Sequence, residues 1–172
     1  MSTVEIERKW LMKQFPEMSW HSEEHMEQGY ISFSPAVRIR KTVTEEKTNY
    51  MLTIKGKGTL SRTEVETPIT QEQYEALVPL LAAPPATKKL RRYQLPQGLE
   101  LECSLVDEGE ASAFYYAEIE FATEQQANAF VAPPWFGREV TEEKGYSMAE
   151  YCRYKAKAEA GEAAEGQTLG GR

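Results

Sequence analysis

The stretch Val4-Glu5-Ile6-Glu7-Arg8-Lys9 alternates acidic and apolar residues before it ends in two cations. Side chains of a β-strand point alternately to the two faces of its sheet, so most of these charges share one face. The same alternation returns in four later segments: Arg38-Ile39-Arg40, Glu64-Val65-Glu66, Glu100-Leu101-Glu102 and Glu118-Ile119-Glu120. Together these segments predict a sheet that curls around a charged interior.

The rest of the chain predicts more strands and a few helices, which gives a β-dominated α+β fold class. Strands are expected at residues 3–12, 28–33, 36–43, 48–55, 61–67, 87–94, 99–106 and 115–121. Thr70 precedes Gln73, and Thr123 precedes Gln126, with the spacing of capping boxes, which predicts helices at about 70–81 and 123–131. Thr141 is expected to cap a last helix that ends near residue 155.

Composition limits the domain organisation and the class of partner. The chain has 172 residues, of which 41% are hydrophobic, enough for one domain, expected at 1–155. Residues 156–172 are mostly Ala, Glu and Gly, which predicts a disordered low-complexity tail. The net charge of −7 argues against nucleic acid or an anionic membrane as a partner. We find no signal peptide or membrane span, and we expect a soluble cytoplasmic protein.

The acidic residues of the alternating segments are candidate metal ligands. They are Glu5, Glu7, Glu64, Glu66, Glu100, Glu102, Glu118 and Glu120. A single pair of this kind is usually an exposed strand face with cross-strand ion pairs. Carboxylates that converge in an interior repel one another unless cations neutralise them, and hard oxygen ligands suit Mg²⁺ or Mn²⁺. Repetition on separate strands favours the interior site.

The basic residues mostly follow the same alternation. They are Lys9, Arg38, Arg40, Lys55, Arg62, Lys89 and Arg91. Arg presents a planar fork that matches phosphate oxygens, and Lys supplies a compact charge. A barrel wall with both kinds of charge predicts a receptor for a polyphosphate that is bridged by divalent ions. The glycines flanking Lys57 do not have phosphate-loop spacing, and His21 with His25 is expected to be an exposed pair.

These residues together resemble the CYTH superfamily, the triphosphate tunnel metalloenzymes, over about residues 3–152. Glu5-Ile6-Glu7-Arg8-Lys9 is similar to its E-x-E-x-K signature. Further matches are 28–30, 38–40, 52–55, 60–66, 89–91, 100–102, 117–121 and 139–144. The resemblance implies a closed eight-stranded antiparallel β-barrel with a few helices packed outside, whose tunnel binds a linear triphosphate.

The resemblance also implies roles for individual residues. Phosphates would be bound by Lys9, Arg38, Arg40, Lys55, Arg62, Lys89, Arg91 and Lys144. One or two Mg²⁺ or Mn²⁺ ions would be held by Glu5, Glu7, Glu64, Glu66, Glu102, Glu118 and Glu120. Catalytic roles fall to Glu7, Lys89, Tyr30 and Glu120, with Tyr30 assisting Lys89 at the leaving group. The segment 88–93 has one residue more than the usual K-x-R-Y, so Lys88 and Arg92 stay alternatives to Lys89 and Arg91.

The expected activity is hydrolysis of the terminal phosphoanhydride of a triphosphate, with inorganic tripolyphosphate as the first candidate substrate. The alternatives are a class IV adenylate cyclase, a thiamine triphosphatase and a non-catalytic polyphosphate-binding module. Bound divalent ions would neutralise the phosphates and activate a water, so no protein nucleophile is required. The resemblance also allows a homodimer.

Overall fold

The computed structural model describes residues 4–161, and within them eight antiparallel strands close into a barrel. The strands are β1 (Val4–Met12), β2 (Ser22–Phe33), β3 (Ala36–Val43), β4 (Thr48–Lys55), β5 (Ser61–Pro68), β6 (Ala86–Gln94), β7 (Glu100–Val106) and β8 (Phe114–Glu120). Their order around the barrel is β1-β5-β4-β3-β2-β6-β7-β8, and β8 returns to β1. The predicted fold class and closed eight-stranded barrel are therefore confirmed.

The first strand closes the barrel because it pairs on both of its edges. Its beginning pairs with β5, with Val4 opposite Thr63, and its remainder pairs with β8, with Glu7 opposite Glu120. Strands of one barrel that are four places apart in the order lie on opposite walls. The arginine-bearing β3 is therefore opposite the glutamate-bearing β8.

The main hydrophobic core lies outside the barrel wall, because the alternating strands turn their charges inward. Trp10, Leu101 and Ile119 project from three neighbouring strands and are almost fully buried. The helix α2 (Glu124–Ala129) and the aromatic residues around Phe136 cover them. Burial of each such side chain stabilises the fold by about 1.5–3 kcal/mol. A second apolar cluster lies between the barrel and the last helix.

Two of the predicted helices begin where their capping residues indicate. The Thr70 side chain accepts from the Gln73 backbone and the Gln73 side chain accepts from the Thr70 backbone, at the start of α1 (Gln71–Leu77). A 3₁₀ turn at Val78–Leu80 continues α1, and another at Pro96–Gly98 joins β6 to β7. Thr123 accepts from Gln126 at the start of α2, which is shorter than predicted.

The last helix differs from the prediction at both ends. Thr141 does not cap it, because the Thr141 hydroxyl donates to Glu139 and accepts from the Lys9 backbone. Ser147 forms a full capping box with Glu150 at the start of α3 (Met148–Glu159). The helix ends at Glu159, four residues beyond the predicted domain boundary at 155. Residues 162–172 of the predicted tail lie outside the described part of the chain.

A buried carboxylate attaches α3 to the barrel. Asp107, which follows β7, accepts hydrogen bonds from the Tyr151 hydroxyl at 2.5 Å and from the Lys155 ammonium at 2.8 Å. It also accepts from the Thr87 backbone at 2.8 Å. These bonds hold the pKa of Asp107 below its usual range although burial opposes them. Of the helices between residues 4 and 161, none is long and apolar enough to cross a membrane.

Candidate active site

The barrel surrounds a cavity of about 1210 Å³ that is lined largely by charged side chains. Most of the residues predicted for the site line it. They are Glu5, Glu7, Lys9, Tyr30, Arg38, Arg40, Lys55, Arg62, Glu64, Glu66, Glu102, Glu118, Glu120 and Lys144. Glu100, which belonged to the acidic set but not to the predicted ligands, also lines the cavity. The strand alternation thus gathers residues from all parts of the barrel into one space, which we call the tunnel.

The predicted positions of Lys89 and Arg91 in the tunnel are wrong. Lys89 pairs with Glu108 at 2.7 Å, and Arg91 pairs with Glu23 at 2.7 Å, both on the outer side of β6. Arg91 also lies over the rings of Phe15 and Trp20, at 4.3 and 4.0 Å. Neither residue lines the tunnel.

The alternate side chains of β6 face the tunnel; they are Lys88, Leu90 and Arg92. Tyr93 belongs to the main outer core and is fully buried there. Since side chains alternate along a strand, an outward Tyr93 places 89 and 91 outward as well. Lys88 and Arg92, the alternatives left open on β6, are therefore the residues whose side chains face the tunnel.

Lysine and arginine side chains neutralise the carboxylates of one tunnel wall. The Lys55 ammonium lies 2.9 Å from a carboxylate oxygen of Glu5 and 2.9 Å from one of Glu64. The Arg62 guanidinium contacts Glu5 at 3.1 Å and Glu7 at 3.0 Å. Burial raises the pKa of Glu5, but Lys55 and Arg62 outweigh this effect and lower it. Each cation is thus shared between two carboxylates.

Glu7 and Glu118 form a carboxyl–carboxylate pair in the middle of this wall. Burial and the neighbouring Glu118 charge raise the pKa of Glu7 well above its usual value. Burial acts the same way on Glu118, but Lys9 at 3.5 Å and a hydrogen bond from Glu7 hold its pKa below the usual value. The Glu118 charge therefore favours the protonated form of Glu7. Burial and nearby carboxylates, Glu5 and Glu64 among them, also raise the pKa of Glu120.

The chemistry of this wall fits a hard divalent cation. Six of the seven predicted ligands lie on β1, β5 and β8, and Glu102 lies on the adjacent β7. In residues 4–161, no three His, Cys, Asp or Glu side chains converge closely enough to hold an ion as they stand. Oxygens of Glu5, Glu7 and Glu64 contact Lys55 or Arg62 instead. A divalent ion could take the place of these cations, because carboxylate oxygens are the ligands that Mg²⁺ and Mn²⁺ prefer.

The arginines of β3 lie opposite β8 and two strands away from β5. Arg38 and Arg40 each place a guanidinium nitrogen 3.7 Å from a Glu66 oxygen. Burial and the neighbouring Arg38 lower the pKa of Arg40, so these two cations repel each other inside the tunnel. An anion between the two arginines would remove that repulsion.

Lys88 and Tyr116 form a contact inside the tunnel that was not predicted. The buried Lys88 ammonium donates to the Tyr116 hydroxyl at 3.1 Å, and burial lowers the pKa of Lys88 to about 8. Tyr116 lines the tunnel and its burial raises its pKa well above the usual value, so it stays a neutral phenol. Its position two residues before Glu118 placed it on the charged face and could have identified it. The Tyr30 hydroxyl interacts instead with Arg38.

One mouth of the tunnel is lined by Arg92, the alternative left open on β6, and by Glu24, which was not predicted. Arg92 lies 2.9 Å from Glu24, 3.1 Å from Glu102 and 3.4 Å from Glu100. Burial raises the pKa of Glu102, although Arg92 opposes the rise. At the other mouth, Arg153 of α3 lines the tunnel and lies over the Phe33 ring. The predicted Lys144 lies at this mouth too, near the start of α3.

The closed barrel and the opposed charges of its tunnel define the class of this protein, the triphosphate tunnel fold of the CYTH superfamily. The chain is 38% identical over 143 residues to an inorganic triphosphatase of Nitrosomonas europaea, which covers 83% of this chain and 93% of that protein. It is 34% identical over 145 residues to an inorganic triphosphatase of Acetivibrio thermocellus, with coverage of 83% and 88%.

Structural comparison agrees with these relatives. A crystal structure of an inorganic triphosphatase matches with a TM-score of 0.61 at 34% identity, over 88% of this chain and 95% of that one. No family model matches the chain. On the identity and coverage of its relatives, this chain belongs to the inorganic triphosphatase family.

Proposed function

We propose that the protein hydrolyses inorganic triphosphate to diphosphate and phosphate with Mg²⁺ or Mn²⁺. The observation that carries the proposal is the tunnel itself, in which the glutamates of β8 lie opposite the arginines of β3. A site for an anion alone would not gather so many glutamates among its cations. Carboxylates that face cations across one tunnel instead suit an anion bound together with a divalent cation.

When a triphosphate and a divalent ion bind together, the charged side chains of the tunnel leave each other and contact the ligands. In the described structure Lys55 and Arg62 neutralise carboxylates of the metal-binding wall. A triphosphate offers these cations phosphate oxygens, which accept the bidentate hydrogen bonds of Arg well. The carboxylates that they release are then available to the divalent ion. Substrate and metal therefore favour each other's binding, because each takes up charges that the other leaves unpaired.

Binding of the phosphates falls to cations from five strands and from the segment before α3. We assign this role to Lys9, Arg38, Arg40, Lys55, Arg62, Lys88, Arg92 and Lys144. Lys88 and Arg92 replace the residues first predicted on β6. Tyr30 contributes by holding Arg38.

The carboxylates that would hold the metal are Glu5, Glu7, Glu64, Glu66, Glu102, Glu118 and Glu120. A bound Mg²⁺ or Mn²⁺ supplies charge neutralisation and an activated water for attack at the terminal phosphorus. Glu7 and Glu120 lie opposite each other on β1 and β8 and act as catalytic ligands in this proposal. Lys88 stabilises the negative charge that develops during phosphoryl transfer.

A substrate panel tests the proposal. Purified protein is given inorganic tripolyphosphate, ATP, thiamine triphosphate or long-chain polyphosphate, each with Mg²⁺, Mn²⁺ or a chelator. We expect phosphate release to be fastest from tripolyphosphate and to stop with the chelator. Cyclic AMP formed from ATP would instead assign a cyclase, and tight binding of tripolyphosphate without turnover across metals and pH would assign a binding module.

Substitutions at the two tunnel walls are expected to have different effects. Glu7→Gln or Glu120→Gln removes a ligand charge and should lower kcat by at least about 10²-fold, since metal ligation is lost. Arg40→Ala should chiefly raise KM, because it removes a contact that binds substrate and transition state alike. Steady-state phosphate release gives both constants. If Arg40→Ala and Glu7→Gln lost kcat equally, the assignment of substrate binding to Arg40 and of metal ligation to Glu7 would be contradicted.

The residues assigned to the proposed site belong to one chain. The predicted homodimer and cytoplasmic location stay predictions.

A further inference from the structure

Tyr116 is a buried, uncharged residue of the tunnel that touches two of its cations. Its exposed fraction is 2%, and its side chain lines the tunnel from β8. The Lys88 ammonium donates to its hydroxyl at 3.1 Å, and the Lys9 ammonium lies 4.2 Å from the centre of its ring. The two lysines come from β6 and β1, two strands and one strand away from β8 in the barrel. A single side chain therefore joins cations from both sides.

The closer contact of each lysine uses a different part of the phenol, although the Lys88 ammonium also lies 5.7 Å from the ring centre. The hydroxyl accepts a charge-assisted hydrogen bond, which fixes the direction of the Lys88 ammonium. The ring face attracts the Lys9 ammonium through its quadrupole without a directional bond. Lys9 has other partners too, since it donates to the Tyr146 carbonyl at 2.9 Å and lies 3.5 Å from Glu118. For Lys88, Tyr116 is the hydrogen-bond partner found within residues 4–161.

We infer that Tyr116 is a positioning residue, whose hydroxyl orients Lys88 and whose ring orients Lys9 toward the same part of a bound triphosphate. The inference rests on the proposed function for the identity of the anion. A flexible lysine in a wide tunnel loses rotamer freedom when it must point at a phosphate. Tyr116 fixes that direction before the substrate arrives, which lowers the cost of orienting the charge in the transition state.

Substitution by phenylalanine separates the two contacts. Tyr116→Phe removes the hydroxyl that Lys88 needs and keeps the ring that Lys9 needs. Because the Lys88 charge remains, we expect kcat to fall about tenfold while KM stays within about threefold, a smaller loss than when a donor itself is removed. Tyr116→Leu removes the ring too, and we expect binding of inorganic triphosphate to the metal-free protein to weaken about tenfold by calorimetry.

The neighbouring Tyr115 is the matched control. It lies on the same strand but on the outer wall, where its ring packs on Phe15 with centroids 5.2 Å apart. Tyr115→Phe should leave kcat, KM and triphosphate binding unchanged. Thermal unfolding of each variant shows whether it is folded. If Tyr116→Leu does not fold, the conservative Tyr116→Phe decides the question by itself.

A double substitution shows whether Tyr116 acts through Lys88. Once Lys88→Met has removed the charge, adding Tyr116→Phe should lower kcat no further. Additive losses, or a kcat of Tyr116→Phe equal to that of Tyr115→Phe, overturn the inference while leaving the proposed function intact. If the wild type releases no phosphate, the proposed function fails, and metal-free binding to Tyr116→Leu against wild type still decides the role of the ring.

Discussion

At the scale of single residues, β6 presents consecutive cations of which only alternate ones enter the tunnel. Lys88 is buried beside Tyr116, whereas Lys89 pairs with Glu108 outside. We therefore expect Lys88→Ala to lower kcat/KM by about 10²-fold or more, since it removes a cation from the phosphate site. Lys89→Ala should stay within about twofold of wild type because it changes only an exposed ion pair.

The same assay, phosphate release from tripolyphosphate, measures both variants. Lys88 and Lys89 are adjacent and chemically identical, so each variant controls for the other. If Lys89→Ala lost more activity than Lys88→Ala, Lys89 and not Lys88 would face the tunnel.

Sequence reasoning worked at residue scale where charges alternate with hydrophobic residues. Glu5 and Glu7, or Arg38 and Arg40, could be placed on one face because their neighbours have to be buried on the other. The segment 88–92 has charges in both phases, so alternation could not choose between them. The burial of Tyr93 decides which side chains of β6 face the tunnel, because residues 89 and 91 share its outer face. Its core is formed with residues far away in sequence.

At the scale of elements, α3 depends on one buried carboxylate for its attachment. Asp107 has 1% exposed side chain and bonds Tyr151, Lys155 and Thr87. Asp107→Asn keeps the shape and tolerates the left-handed backbone, where φ is 46°. It leaves the Lys155 charge without its carboxylate, and we expect unfolding to become easier by about 3 kcal/mol.

Denaturant unfolding measures the change, with Glu110→Gln as control. Glu110 is more than half exposed and lies 3.9 Å from the Lys155 ammonium, so its replacement should cost less than about 0.5 kcal/mol. A similar loss in both variants would mean that the charge on Lys155, not the buried network, attaches the helix.

The start of α3 could have been predicted from sequence. Ser147 is followed by Glu150 at the capping-box spacing, whereas Thr141 is followed by Lys144 at that position. The box rule therefore favours Ser147. The attachment through Asp107 could not have been found, because it joins residues 44 and 48 positions apart.

At the scale of the whole molecule, the tunnel brings together carboxylates whose mutual repulsion a divalent ion can neutralise. We expect Mg²⁺ or Mn²⁺ at about 100 times its Kd to raise the melting temperature by several degrees, because it binds the folded barrel and not the unfolded chain. Glu7→Gln should lose most of this shift, since it removes one of the paired carboxyls.

Differential scanning fluorimetry with and without the metal measures the shift. Glu139→Gln is the control, because Glu139 pairs with Arg8 outside the tunnel at 2.6 Å. It should retain the metal-dependent shift even if its starting stability is lower. An unchanged shift in Glu7→Gln would remove Glu7 from the metal ligands.

The closed order of strands has a consequence for how the protein is made. β1 finds its two neighbours only when residues 61–68 and then 114–120 have been synthesised. Until β8 is made, the part of β1 that pairs with it stays open, and a chain that stops before residue 114 cannot close the barrel. Ion pairs such as Lys55 with Glu5 need only the first third of the polypeptide, whereas the wall that carries Glu118 exists only after about two thirds of it has been synthesised.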